Sequence, residues 1–235
     1  MDFFELINKR RSVRKFKNTK VPESVMRKCL KASVLAANSS NLQPWEFYWV
    51  RDPKKKETVV KACFSQNAAK GAKELVIAVS KIDTWKRNRN LIIEEHKKKN
   101  RFIPLVDKYY NILIPFAYYH DFLGISGLIK RFIFLFVNIY GYFKPVIRGP
   151  IYKHELFETV SKTTALACQN FMMALVAEGF DSCPMEGFDE KRIKKMLKLN
   201  WQSHVVMIFG IGEAASNGVY SERFRVDDSL VIKEI

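Results

Sequence analysis

The stretch TALACQNFMMALVAEGFDSCPMEGFD, residues 164–189, decides how the chain folds. Ala167, Cys168, Phe171, Met172, Leu175 and Val176 recur at helical spacing and form a broad apolar face. They predict a long central helix over residues 158–178. Gly179 is a natural stop, because glycine accepts the left-handed backbone that closes many helices. The chain from Cys183 to Asp189 then reads as a loop, in which Gly187 lets the backbone come close to a ligand. An ordinary helix–helix turn is the plainer reading of the same residues. Asp189 is placed to cap a short basic helix that runs through Leu197.

Outward from this centre, short strands alternate with helices. His204 to Phe209 reads as a strand, and the tail from Val219 is polar until Leu230-Val231-Ile232. On the N-terminal side, Asp2 and Glu5 have the spacing of a capping box, and Phe3, Phe4 and Ile7 share a helical face. That pattern breaks at Lys9-Arg10-Arg11-Ser12-Val13-Arg14. A second helix is expected to begin at Pro22, a favourable first-turn residue, with Val25, Met26, Cys29, Leu30 and Val34 on its buried face. Phe47 to Val50 and Leu75 to Ser80 read as strands, with a helix over 54–64 between them. The alternation indicates an α/β or α+β fold, and 235 residues suffice for one such domain with a sizeable core.

Hydrophobic residues make up 48% of the chain and charged residues 27%, the balance of a globular protein, and the 13% aromatic content argues against disorder. Forty Lys and Arg against 24 Asp and Glu give a formal net charge of +16. Such a field attracts anions, so phosphorylated cofactors, nucleic acid and anionic membrane surfaces are all compatible with it. Cys29, Cys63, Cys168 and Cys183 sit among apolar residues without C-x-x-C spacing, as free thiols in a reducing, cytoplasmic compartment do. The first residues show no basic segment followed by an apolar one, so no signal peptide is expected. His96, His120, His154 and His204 lack metal-ligand spacing, which predicts no metal centre. Neither a G-x-S-x-G elbow nor a G-x-G-x-x-G loop after a strand occurs, which argues against serine hydrolysis and a separate Rossmann site.

Residues 86–155 are unlike the rest. From Trp85 to Arg101 there are seven basic side chains against two acidic ones. Residues 109–143 are then aromatic and aliphatic, but His120, Asp121, Lys130, Arg131 and Asn138 interrupt the run. A membrane span needs about 20 predominantly apolar residues. A helical cap over a pocket, packing against a partner subunit, or a helix lying on a membrane surface each fit better.

Several clusters have the chemistry of a binding site. Arg10, Arg11 and Arg14 around Ser12 offer guanidinium groups and a hydroxyl to a phosphate. Arg223 and Arg225 fall on one side of an extended segment. The turn from Asn38 to Trp45 concentrates amides and hydroxyls that suit ring carbonyls and nitrogens. For each cluster alone, surface charge or loop capping is the plainer reading.

Taken in order, these segments resemble the nitroreductase family over residues 1–80 and 156–235. The Arg10-Arg11-Ser12-x-Arg14 run resembles its opening motif, and Ser39-Ser40-Asn41-Leu42-Gln43-Pro44-Trp45 its second. Residues 164–189 resemble its central helix and following loop, and Arg223-x-Arg225 its C-terminal clamp. The resemblance implies an α+β fold, with a mixed, mainly antiparallel sheet sandwiched by helices in a single domain, 1–235, carrying a helical cap-like insertion at 86–155. It further implies a homodimer binding FMN at its interface. Arg10, Arg11, Ser12, Arg14, Arg223 and Arg225 would then hold the phosphate and ribityl end. Asn38, Ser39 and Asn41 would approach the ring from the other subunit. Gln66 or Asn67 would supply a further polar contact. The loop Pro184-Met185-Glu186-Gly187 would face the ring nitrogen that carries hydride, through an amide near Glu186 or Gly187.

The implied activity is hydride transfer from NAD(P)H through flavin to a small organic acceptor such as a nitroaromatic or a quinone. Reduction of an activated carbon–carbon double bond and reductive dehalogenation use the same flavin chemistry and stay open. No side chain need serve as nucleophile or general base. A basic nucleic-acid-binding or membrane-surface protein is the reading from a different class. Under the enzyme reading no nucleic-acid partner is expected.

Overall fold

The computed structural model describes residues 2–99 and 103–235. Of the charged run noted above, Arg101 lies outside the described residues. The sheet has four strands, β1 (Trp45–Trp49), β2 (Glu74–Lys81), β3 (Asp181–Met185) and β4 (Ser203–Gly212), in the order β1-β2-β4-β3. Among the described residues all three strand pairings are antiparallel, and parallel pairing occurs only at an isolated bridge between Ser12 and Ser182. The mixed character expected of the sheet thus amounts to that single bridge.

Alternation along β2 assigns its side chains to two cores. Leu75, Ile77 and Val79 pack with α3 (Pro53–Ala62), α4 (Asn67–Lys70) and α10 (Glu190–Leu197). Val76 and Ala78 face the opposite way, against α2 (Glu23–Ser33) and the central helix α9 (Lys153–Ala177). A period of two along the strand produces this division. The register shifts between Ala78 and Val79, leaving Val206 as an extra residue in β4. Such a bulge changes strand parity, so Val205 and Ile208, three apart, belong to the same core. The helix–sheet–helix sandwich follows directly.

Several boundaries differ from the sequence reading. Pro22 is the N-cap of α2 and not a first-turn residue, and Val34 at its C-terminal end is 43% exposed instead of buried. The helix stops at Ser33, so Val34 never completes the apolar face. Residues 183–185, the first part of the stretch read as a loop, belong instead to β3, which begins at Asp181. Pro184 lies within it because β3 is an edge strand, where a missing N–H breaks no inner ladder. Gly179 does end α9, at φ +81°, with Gly179 N–H donating to Val176 O and Phe180 N–H to Leu175 O. Asp189 caps α10 by accepting from Arg192 N–H. Asp2 and Glu5 form the capping box of α1 (Phe3–Lys9), but Phe3 and Phe4 stay exposed in the isolated subunit.

The described residues of segment 86–155 are largely helical. They include α5 (Trp85–Lys98), α6 (Pro104–Lys108), a π-helical turn (Tyr109–Leu113), α7 (Ile114–Tyr118) and α8 (Ile125–Tyr140). Trp85, Ile92, Tyr110, Ile114 and Tyr118 bury against Leu42 and against Leu156 and Val160 of α9. This third core fixes the segment beside the turn at residues 38–43. A short helix, α11 (Asp228–Val231), lies near the C-terminus.

Candidate functional site

The end of α1, the edge of the sheet and the C-terminal segment converge on a cluster of arginines. Val13 N–H donates to Ser182 O and Arg14 N–H to Gly218 O, which lays residues 12–14 along β3. Arg11 donates to Ser221 O. Arg223 Nη2 donates to Asn8 O at 2.9 Å and Arg10 O at 2.6 Å, pinning the C-terminal segment to the end of α1. The Arg14 guanidinium lies 5.1 Å from the Tyr220 ring centre. Asn67 Nδ2 donates to Tyr220 Oη at 2.9 Å, and Gln66 Nε2 donates to Gly187 O at 2.8 Å. Contacts here therefore join residues that are 210 or more positions apart in the chain.

Its electrostatics are one-sided. Burial, followed by the charges of Arg223, Arg225 and Arg11, lowers the pKa of Arg10. Burial raises the thiol pKa of Cys183 against the opposing pull of Arg14 and Arg10. Among the described residues, Arg10, Arg11, Arg14, Arg223 and Arg225 form no ion pair with a carboxylate, although eleven ion pairs occur elsewhere. Like charges held together without a counterion are costly, and an anion relieves that cost. On β3, Ser182 Oγ is buried without a hydrogen-bond partner. The donor set fits the phosphate and polyol end of a flavin mononucleotide.

The second polar cluster lies apart from the first. Ser40, Asn41 and Gln43 have φ of 57°, 50° and 46°, a left-handed backbone that non-glycine residues hold only when their surroundings fix it. Those surroundings are visible. Asn38 Oδ1 accepts from Gln43 N–H, Asn88 Nδ2 donates to Leu42 O, and Tyr110 Oη donates to Ser40 O. Ser40 Oγ and Tyr109 Oη are 2.5 Å apart. The insertion thus braces the turn. Among the described residues, no hydrogen bond joins Asn38, Ser39 or Asn41 to the arginine cluster of the same subunit.

Beside this turn lies a cavity of about 390 Å³. Ser39 and Ser40 form its polar edge, while Leu113, Phe116, Phe134 and Val137 contribute apolar wall. Tyr118 also lines it, and its buried hydroxyl has no hydrogen-bond partner. Burial pushes the pKa of that hydroxyl up to about 12, so it stays neutral at physiological pH. Among the described residues, no group of three His, Cys, Asp or Glu side chains is placed to hold a metal ion.

Of the residues the sequence reading singled out, Arg10 lies among Arg11, Arg223 and Arg225, Gln66 is bonded to Gly187 O, and Asn67 is joined through Tyr220 to Arg14, so both alternatives for the further polar contact, Gln66 and Asn67, lie near this region. Pro184 and Met185 stand on β3 itself, with Glu186 and Gly187 just beyond it. Tyr220, Ser182 and Tyr118 were missed. Tyr220 lies three residues before Arg223 and carried a signal only by that proximity. Ser182 and Tyr118 carry none, since their unmet hydroxyls exist only in the folded protein.

The model of the Nitroreductase family matches residues 7–213. The chain belongs to the nitroreductase family. Among its relatives is Protein DrgA of Synechocystis sp., 24% identical over 200 residues, covering 85% of this chain and 78% of that one. Another is a protein named NADH dehydrogenase from Thermus thermophilus, 23% identical over 219 residues, covering 93% and 90%. A nitroreductase-like structure from Exiguobacterium sibiricum in complex with FMN superposes at a TM-score of 0.70. It is 21% identical, covering 100% of this chain and 98% of the other. Such likeness to solved structures establishes the shared nitroreductase fold.

Proposed function

We propose that this nitroreductase-family chain is an FMN-dependent NAD(P)H oxidoreductase that works as a homodimer and reduces a small, flat, predominantly apolar organic acceptor. The observation that carries this reading is the cluster of five arginines without a carboxylate counterion, gathered from both ends of the chain. Arg10, Arg11, Arg14 and Arg225, with Ser12 and Ser182, would hold a phosphate and its polyol, while Arg223 fixes the segment that carries Arg225. Gln66, held by Gly187 O, and Asn67, held by Tyr220, would present their remaining polar atoms toward the ring. The segment from Pro184 to Gly187 supplies backbone groups at the sheet edge. Among the described residues the turn bearing Asn38, Ser39 and Asn41 makes no hydrogen bond to the arginines of its own subunit, which accords with a site completed by a second copy.

Bound FMN would supply the hydride chemistry, and the protein would supply position, charge and a partly dry surround. The apolar cavity beside Ser39 and Ser40 favours an apolar acceptor, and the hydroxyls of Ser39 and Ser40 at its edge would offer it hydrogen bonds. The purified protein is expected to carry noncovalent FMN at about one per subunit, the stoichiometry of a preformed ligand site. Absorbance spectroscopy before and after incubation with FMN checks it. A colourless protein that gains no flavin absorbance would end this reading.

A further inference from the structure

Helix α8 has the reverse of the amphipathic pattern that a surface helix of a globular protein shows. Its one lysine, Lys130, is buried and donates to Ala117 O at 3.0 Å and Tyr119 O at 2.9 Å. Gly127, Lys130 and Phe134 make the inward stripe. Leu128, Ile129, Phe132, Leu135, Phe136 and Ile139 all point outward, each more than half exposed. At about 100° per residue they cover an arc of roughly 120°, and Arg131 and Asn138 sit at one edge of it. Beyond the helix, Tyr142, Phe143 and Ile147 are more than 80% exposed and extend the patch. An outward apolar surface of this extent marks an interaction site.

Charge identifies the occupant. Residues 122–154 contain five basic side chains and no acidic one. Arg131, Lys144 and Arg148 are exposed around the patch. Two copies of this face packed together would set like charges against each other with nothing to neutralise them. An anionic bilayer offers apolar depth and negative headgroups together. Among the described residues no helix is long and apolar enough to cross a membrane. With 16 residues, α8 is about 24 Å long and suits a position along the membrane plane. None of the residues assigned to the flavin half-sites lies on α8.

We propose that the outward face of α8, continued by Tyr142, Phe143 and Ile147, docks on the surface of an anionic lipid bilayer, with the helix lying in the interfacial plane. Asp121 orders the entry to the helix by accepting from Ile125 N–H at 2.9 Å and Ser126 N–H at 2.6 Å. The face is therefore formed before any lipid is present.

The test uses the full-length holoprotein and vesicles of phosphatidylcholine with or without phosphatidylglycerol. The protein is expected to co-sediment with the anionic vesicles, to bind the neutral ones far less, and to be released as salt rises. The combined variant Phe132→Asp and Phe136→Asp, at two exposed positions, is expected to weaken binding about tenfold or more, with flavin content unchanged. A Phe132→Trp variant is expected to shift its fluorescence to the blue when anionic vesicles are added. Failure of the parent to bind anionic vesicles would overturn the proposal. So would equal binding by the double aspartate variant, or loss of a parent dimer in that variant, which would make the occupant a second copy. None of these readouts depends on turnover, so they stand or fall separately from the proposed redox activity.

Discussion

At the residue scale, the arginines differ in what they are free to do. Arg223 Nη2 is already engaged by backbone carbonyls of residues 7, 8 and 10, so it fastens the C-terminal segment. Arg14 rests against the Tyr220 ring and makes only a long bond to Ser12 O at 3.4 Å. Arg225 donates to the adjacent Phe224 O. Arg14 and Arg225 thus keep donors for an anion. Arg14→Ala and Arg225→Ala are each expected to weaken FMN binding about tenfold or more, the usual weight of a charge-assisted hydrogen bond. Titration of apoprotein with FMN, followed by fluorescence quenching, measures it. If both variants bind as the parent does, neither arginine holds the phosphate. Arg223→Ala should instead loosen the C-terminal segment and become more susceptible to proteolysis beyond residue 212.

At the element scale, caps decide where the helices near the site begin and end. Asp189 accepts from Arg192 N–H at 3.2 Å and pairs with the Arg192 side chain at 2.9 Å, and its own N–H donates to Ala62 O. It therefore ties the start of α10 to the end of α3, directly after the loop that carries Gly187. Asp189→Ala is expected to cost about 1 kcal/mol of stability, whereas Asp189→Asn keeps an equivalent cap and should cost less. Urea denaturation of the two variants against the parent checks the order. Equal loss in both would assign the effect to the ion pair with Arg192 and not to the cap. This cap was legible in the sequence because an aspartate directly preceding a helical pattern has a local physical role. The strand β3 was not legible, because Pro184 discourages a strand and only an edge position beside β4 permits one.

At the scale of the whole molecule, the arginine cluster and the turn at 38–41 are separate within one subunit. Phe3, Phe4 and Leu35 are more than 60% exposed, as are Leu230, Val231 and Ile232 near the C-terminus. Apolar surface distributed in this way is better buried against another chain than left in water. The protein is expected to sediment as a dimer at micromolar concentration, with about two FMN per dimer, the closed stoichiometry of a two-fold assembly. Analytical ultracentrifugation with detection at a flavin wavelength reads both quantities. A monomer that binds FMN tightly and turns over would contradict a site shared between subunits.

The sequence by itself determined the elements whose signals are local. The apolar period of α9, its stop at Gly179, the capping box at Asp2 and the buried apolar run of β2 are each set by a few neighbouring residues. The arginine and amide clusters were visible as clusters, but each alone also read as surface charge or loop capping, and only their order along the chain suggested a shared site. The tertiary structure alone decided three things. It brought Arg225 to Arg10 across more than 200 residues, which no local preference encodes. It placed Ser182 and Tyr118 where their hydroxyls lose water without gaining a partner, a property of the packed interior and not of the residue. It turned Lys130 inward and six large apolar side chains of α8 outward. In the sequence either face of that helix could have been the buried one. Two carbonyls at the end of α7 accept from the lysine, and that fixed the choice.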